Sequence, residues 1–265
     1  MTALLEDGGA PDRFRAPLYT IAEAARYLGV PESTFGGWAT GYRSRSAGLA
    51  LGRSAGLALG RSAGSALGRS AGSALGGPLL TTVARRDSRR DAVVPFIGLA
   101  EGLVLTAMRR GGVPLQRVRP ALARLEDRLG VRHPLASRWL HTDGVEVLFD
   151  YAEVEDAAAG EAPDVVVVRS DQRVLDMTVE SWRRIEFAED GYARLLRLPA
   201  YRTAEVVVDP ARGFGQPVFV RGGARVEDAL SMVRAGVELE TVAAEYRVPA
   251  EHLLDAVGVA TPVAA

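Results

Sequence analysis

The chain has 265 residues, of which 48% are apolar and 25% charged, with a formal net charge of −1 and no cysteine. That length suits one or two domains, and the composition excludes a chain that is disordered or fibrous throughout. The lack of cysteine removes disulfide frameworks, thiolate zinc sites and cysteine nucleophiles. All 32 basic residues are arginine, and neither lysine nor asparagine occurs. P-loop lysines, Schiff-base lysines and N-glycosylation sites are therefore excluded as well.

The opening residues Met1-Thr2-Ala3-Leu4-Leu5-Glu6-Asp7-Gly8 hold neither a basic n-region nor an apolar h-region. A secretory signal is not expected, and the expected location is cytoplasmic. Thr20-Ile21-Ala22-Glu23 is a capping-box pattern at the start of an apolar-periodic run. Ile21, Ala24, Ala25 and Leu28 fall on one helical face. Gly29-Val30-Pro31 then supplies a turn, and Pro31 suits the first position of a second helix that points Phe35 and Trp38 inward and ends near Gly41. Two short helices with a tight Gly-containing turn outline a helix-turn-helix.

Four octapeptides follow in register from Arg45 to Gly76, the first two RSAGLALG and the last two RSAGSALG. Eight residues are too few for a solenoid unit. The glycine at every fourth position weakens a helix by about 1 kcal/mol each. Residues 45–78 are expected to be a disordered linker or insertion. G-x-S-x-G occurs at Ser54, Ser62 and Ser70, but no strand precedes any copy, so these are chance matches to a nucleophile elbow. Residues 42–91 hold nine arginines against Asp87 and Asp91, which leaves the rest of the chain acidic. A basic segment beside an acidic body suits nucleic acid and a solvated linker equally.

Ala92 to Met108 is the most membrane-like run. Pro95 interrupts it, and only 13 residues separate Pro95 from Arg109, against roughly 20 for a span. A buried helix from Phe96 to Arg109 is the better reading, with Glu101 hydrogen-bonded where it meets the core. After Val113-Pro114, the residues Leu115, Val118, Leu122, Leu125 and Leu129 form a core-facing stripe closed by Gly130.

From Val145 the pattern turns to strand: Val145 to Phe149, Val165 to Val168, then Ile185 to Phe187 and Ala193 to Leu198 joined by Glu189-Asp190-Gly191 as a hairpin, then Val206 to Val208. The acidic stretch Glu153 to Pro163 reads as a solvated loop rather than a metal site. Val218 to Val220, a Gly222-Gly223 turn, and helices over Val226–Ala235, Leu239–Tyr246 and Ala250–Val257 complete the chain. The last two enclose Arg247-Val248-Pro249, a second helix-turn-helix outline. The expected class is α+β, with an N-terminal helix-turn-helix, a helical then β-rich middle, and a C-terminal β-hairpin with a three-helix, helix-turn-helix-like domain. Domain limits are placed at 17–44, 45–78, 79–208 and 209–260.

The string from Tyr19 through Thr20-Ile21-Ala22-Glu23-Ala24-Ala25-Arg26-Tyr27-Leu28-Gly29-Val30-Pro31-Glu32-Ser33-Thr34-Phe35, with Trp38 and Gly41-Tyr42, resembles the start of MerR-type DNA-binding domains. In that family the helix after the turn reads the major groove. The resemblance implies DNA contact at Thr20, Arg26, Ser33, Thr34, Gly36, Gly37, Tyr42 and Arg43. One departure stands out, because Gly36-Gly37 occupy a position that is usually basic, and they are expected on the outward, groove-facing side. Gly215-Gln216-Pro217-Val218, Arg225-Val226-Glu227-Asp228, Ala235-Gly236 and Val242 to Tyr246 resemble a small domain of unknown function, DUF433, of antitoxin-like proteins.

Together these features look like VapB-type antitoxins. That resemblance implies a PIN-domain ribonuclease toxin as partner, operator DNA as ligand and repression of a shared operon. A homodimer is the usual answer to a palindromic site. A stand-alone helix-turn-helix transcription factor, or a protein-binding module whose DNA binding has decayed, are the alternatives. An enzyme is not expected, since His133, His141 and His252 show no ligand spacing and no GxGxxG follows a strand. No cofactor, metal or membrane association is expected.

Overall fold

The structure, a computed structural model, describes residues 11–41, 77–84, 91–140 and 181–261. Helix α1 spans Ile21–Leu28. Thr20 Oγ1 accepts from the Glu23 amide at 3.1 Å, and the Thr20 amide donates to Glu23 Oε2 at 2.8 Å, so both halves of the expected capping box are made. Gly29 ends the helix at φ +64°. Its amide donates to the Arg26 carbonyl and the Val30 amide to the Ala25 carbonyl, which satisfies the last turn. Helix α2, Glu32–Thr40, starts directly after Pro31 and buries Phe35 and Trp38.

Helix α3 spans Phe96–Arg110, and every residue from Phe96 to Met108 is buried. A helix apolar all round belongs at a protein centre. Among the described residues no helix is long and apolar enough to cross a membrane. A Cβ on Gly102 would lie 2.7 Å from Phe35 Cε2 and 2.9 Å from Leu28 Cδ1, so glycine lets α1 and α2 seat directly on α3. Glu101 is buried in the same helix. Its carboxylate accepts from the Thr81 amide and hydroxyl and lies 3.0 Å from His133 Nδ1. Helix α4, Leu115–Leu129, faces the core through Val118, Leu122 and Leu125 and closes at Gly130, φ +63°.

The sheet is antiparallel in the order β1 (Ile185–Phe187), β2 (Ala193–Arg197), β3 (Val206–Val208) and β4 (Val218–Phe219). The β1–β2 hairpin turns through Gly191 at φ +82°, as the Asp-Gly pair predicts. Helices α5 (Val226–Arg234), α6 (Leu239–Tyr246) and α7 (Ala250–Ala260) pack on one another, and α7 also reaches α1. One apolar cluster runs through all of these elements.

Two returns of the chain fix the N-terminal helices. The Leu79 and Leu80 amides donate to the Trp38 carbonyl at 2.8 and 3.3 Å, so residues after the octapeptides close the end of α2. Val93 and Val94 donate to the Tyr19 carbonyl, which pins the approach to α1. The octapeptide tract, the strands expected at Val145–Phe149 and Val165–Val168, and the acidic stretch Glu153–Pro163 lie outside the described residues.

Candidate nucleic-acid interface

The helix pair α1–α2 has the geometry of a helix-turn-helix, with α1 capped at both ends and α2 held on α3 by Phe35. The outer surface of α2 is formed by exposed Glu32, Ser33 and Thr40, with Thr34 half-buried. Ser33 therefore stands in the first turn, where a hydroxyl and free helix amides point outward together. That surface carries no cation. Its one charge is Glu32.

The other expected contact residues have partners of their own in the fold or lie outside the described residues. Thr20 is occupied in the capping box, where its hydroxyl also donates to Glu23 Oε2. Arg26 is exposed, but its guanidinium stacks 5.4 Å from the Tyr27 ring centroid. It lines a small cleft of about 90 Å³ with Glu23, Tyr201 and Glu227, between α1 and the C-terminal helices. Burial, reinforced by the Glu23 charge, pushes the Tyr27 phenol above its ordinary range. Gly36 is half-buried, and a Cβ there would meet Ile21 Cγ2 at 3.6 Å, so it faces α1 and not the groove. Gly37 is half-buried too. The outward placement of Gly36 is thus corrected: helical spacing sets it off the Phe35–Trp38 stripe, but α1 packs on that flank of α2, where Ile21 stands at contact distance from a Cβ at Gly36. Tyr42 and Arg43 lie outside the described residues.

Sequence spacing also missed a positioning residue. Arg110, at the end of α3, donates from Nη2 to the Gly29 carbonyl at 3.1 Å and approaches the Leu28 carbonyl at 3.5 Å. A cation on the negative end of α1 stabilises the turn that orients α2. No local pattern links residues 81 apart; the only cue is a basic pair closing an apolar helix.

A family model described as a putative DNA-binding HTH domain matches residues 17–59 and 62–122, which takes in α1, α2, α3 and the start of α4. The chain is 42% identical over 252 residues to the putative antitoxin VapB45 of Mycobacterium tuberculosis, covering 92% of this chain and 94% of that protein. The chain belongs to the VapB45 family. A second protein of that organism, the uncharacterized protein Rv2308, is 32% identical over 160 residues, covering 56% of this chain and 62% of its own length. The fold of the family is also seen in the crystal structure of Rv2018 from Mycobacterium tuberculosis, which superposes with a TM-score of 0.63 at 36% identity. That match covers 92% of this chain and 99% of Rv2018. In this member of the VapB45 family, the mixed helix-and-sheet architecture and the N-terminal helix-turn-helix agree with the sequence reading.

Proposed function

We propose that this protein is the antitoxin and regulator of a toxin–antitoxin module. It binds operator DNA through α1–α2, neutralises a PIN-domain ribonuclease and represses the operon that encodes both. The supporting observation is the 42% identity to the putative antitoxin VapB45 along nearly the whole of both chains, combined with a helix-turn-helix capped, seated and closed by its own long-range contacts. The MerR-like reading of residues 17–44, with Ser33 and Thr34 at the DNA, and the DUF433-like reading of residues 209–260 belong to the same proposal. So do a cytoplasmic location, a homodimer on a palindromic operator and a regulator's role rather than an enzyme's. Toxin binding is the tighter of the two interactions, because α2 offers no cation to neutralise phosphate and phosphate contacts dominate DNA affinity.

Co-expression with a PIN-domain nuclease encoded beside this gene, followed by co-purification and an RNA-cleavage assay, tests the proposal. Recovery of an inactive nuclease in complex is the expected result. A chain that binds its upstream DNA yet never captures the nuclease would leave the stand-alone transcription factor as the correct reading.

A further inference from the structure

The loop Asp209–Gln216 holds an unusual arrangement. Gly213, Phe214 and Gly215 have φ values of +58°, +55° and +75°, three successive residues in the left-handed region. For glycine that conformation is free, whereas for phenylalanine the Cβ clashes with the backbone. Phe214 nevertheless adopts it with 68% of its surface exposed, and it makes no ring contact among the described residues. The turn is closed by its own bonds, the Gly215 amide to the Arg212 carbonyl and the Gln216 amide to the Gly213 carbonyl, both at 3.1 Å, but among the described residues no ring contact holds the exposed side chain.

The loop is also held firmly in place. The Tyr19 hydroxyl donates to the Gly215 carbonyl at 2.6 Å in a buried contact. Asp209 accepts from the Ala211 amide at 2.8 Å through Oδ1 and from the Arg212 amide at 2.9 Å through its carbonyl. A Cβ on Gly213 would meet Val218 Cγ2 at 3.0 Å, and one on Gly215 would meet Leu18 Cδ1 at 2.7 Å. The two glycines are therefore pressed inward, and Phe214 is what the loop projects. Beside it Arg212 is exposed and makes no ion pair among the described residues. A rigid loop presenting one aromatic ring and one free guanidinium is the chemistry that stacks on a base or sugar and grips a phosphate.

Position selects the ligand. Through Leu18 and Tyr19 the loop abuts the residues that lead into Thr20, the cap of α1. In a helix-turn-helix complex the first helix crosses the DNA backbone while the second enters the groove. Arg15, also exposed, lies three residues before Leu18. We propose that Arg212 and Phe214 form a second DNA contact flanking the helix-turn-helix, and that this contact supplies the phosphate neutralisation α2 lacks. The inference rests on the proposal that α1–α2 binds DNA.

The test uses the full chain and a labelled duplex from immediately upstream of its own coding sequence, titrated at several salt concentrations. The variants are Arg212→Ala, Phe214→Ala, Phe214→Gly and, on α2, Ser33→Glu. Arg212→Ala is expected to flatten the plot of log affinity against log salt by about one unit, as for one lost phosphate. Both Phe214 variants should weaken binding about five- to a hundredfold, the range for one lost stack. Phe214→Gly should melt no lower than wild type, because it relieves the left-handed backbone, so a folding defect cannot mimic the result.

Loss of binding in Ser33→Glu with wild-type affinity and salt slope in the loop variants would overturn this inference and leave the helix-turn-helix reading standing. The reverse pattern would overturn the helix-turn-helix reading and, with it, the loop's place as a flanking contact, leaving Arg212 and Phe214 as a DNA contact in their own right. A wild-type chain that binds neither this duplex nor calf-thymus DNA would overturn both. Loss of nuclease capture by the loop variants at unchanged DNA affinity would assign the loop to a protein partner instead.

Discussion

Glu101 and His133 meet at 3.0 Å in the interior, one from the middle of the buried helix α3 and the other from a residue held at φ +49°. Thr81 completes the cluster, with its hydroxyl 2.9 Å from Glu101 Oε1 and 2.8 Å from His133 Nδ1. Three segments far apart in sequence are thus tied by one carboxylate. Glu101→Ala leaves the Thr81 amide and hydroxyl without their acceptor, and is expected to lower stability by about 2–4 kcal/mol. Glu101→Gln keeps an acceptor and should cost less than half of that. Urea midpoints of the two variants measure the difference; equal losses would mean that side-chain shape matters here and hydrogen bonding does not.

Gly102 presents a contest between two glycine effects. In an exposed helix, replacing glycine by alanine gains about 1 kcal/mol. At Gly102 the added methyl would collide with Phe35 and Leu28, an overpacking that typically costs about 1–3 kcal/mol. The steric term dominates. Gly102→Ala should melt below wild type and should weaken DNA binding further than its stability loss explains, because the strain is relieved by displacing α1–α2.

Gly36 reverses the sign. Its Cβ would lie at ordinary contact distance from Ile21, so Gly36→Ala should raise stability by about 1 kcal/mol with DNA affinity unchanged. A long cation at the same position would run along α1, not toward phosphate, so Gly36→Arg is not expected to steepen the salt dependence of binding. Trp38→Ala, by contrast, should cost about 3–5 kcal/mol and abolish binding through unfolding of the helix pair. Thermal melts paired with salt titrations separate these cases, and a steeper salt slope for Gly36→Arg would return that residue to the groove face.

Tyr19, Tyr27 and Tyr201 all have phenols raised above their ordinary range, with burial the largest cause in each. Tyrosines in the unfolded chain lose their protons near pH 10, as free tyrosine does. The folded chain keeps them longer, so stability is full below about pH 10 and falls as pH rises toward the folded values. Each such tyrosine contributes a decline of up to about 1.4 kcal/mol per pH unit. Denaturant midpoints measured from pH 8 to 11.5 should be flat at first and then drop. Tyr201→Phe should make the drop shallower.

Local chemistry was legible where it was self-contained. Thr20 and Glu23 lie one helical turn apart, Asp190-Gly191 dictates a hairpin on its own, and a run interrupted by Pro95 and bearing Glu101 reads as a core helix. The contacts that shape the interface are of another kind. Arg110 on Gly29, Tyr19 on Gly215 and Leu79 on Trp38 join residues that no window contains, and Arg26 shares a cleft with Tyr201 and Glu227 from the far end of the chain. Spacing along one helix tells which residues share a face. It does not tell what that face meets, which is why Gly36 reads as outward in sequence and packs on Ile21 in space.

The Leu79 amide bound to the Trp38 carbonyl brings the chain back to the point it left. A segment whose ends are fixed together is closed at a cost that grows only with the logarithm of its length. Adding or dropping one octapeptide changes that cost by about 0.2 kcal/mol, well under the loss of a single hydrogen bond. Variants with two or six units should melt within about a degree of wild type, and a drop that scales with the number of units would show that the repeats contribute to the fold. On the linker reading of residues 45–78, slippage during copying of so regular a DNA sequence can change the unit count with little effect on folding, because the Leu79 amide still meets the Trp38 carbonyl whatever the count. On that reading, isolates of one lineage should differ in unit number while Trp38 and Leu79 stay in place.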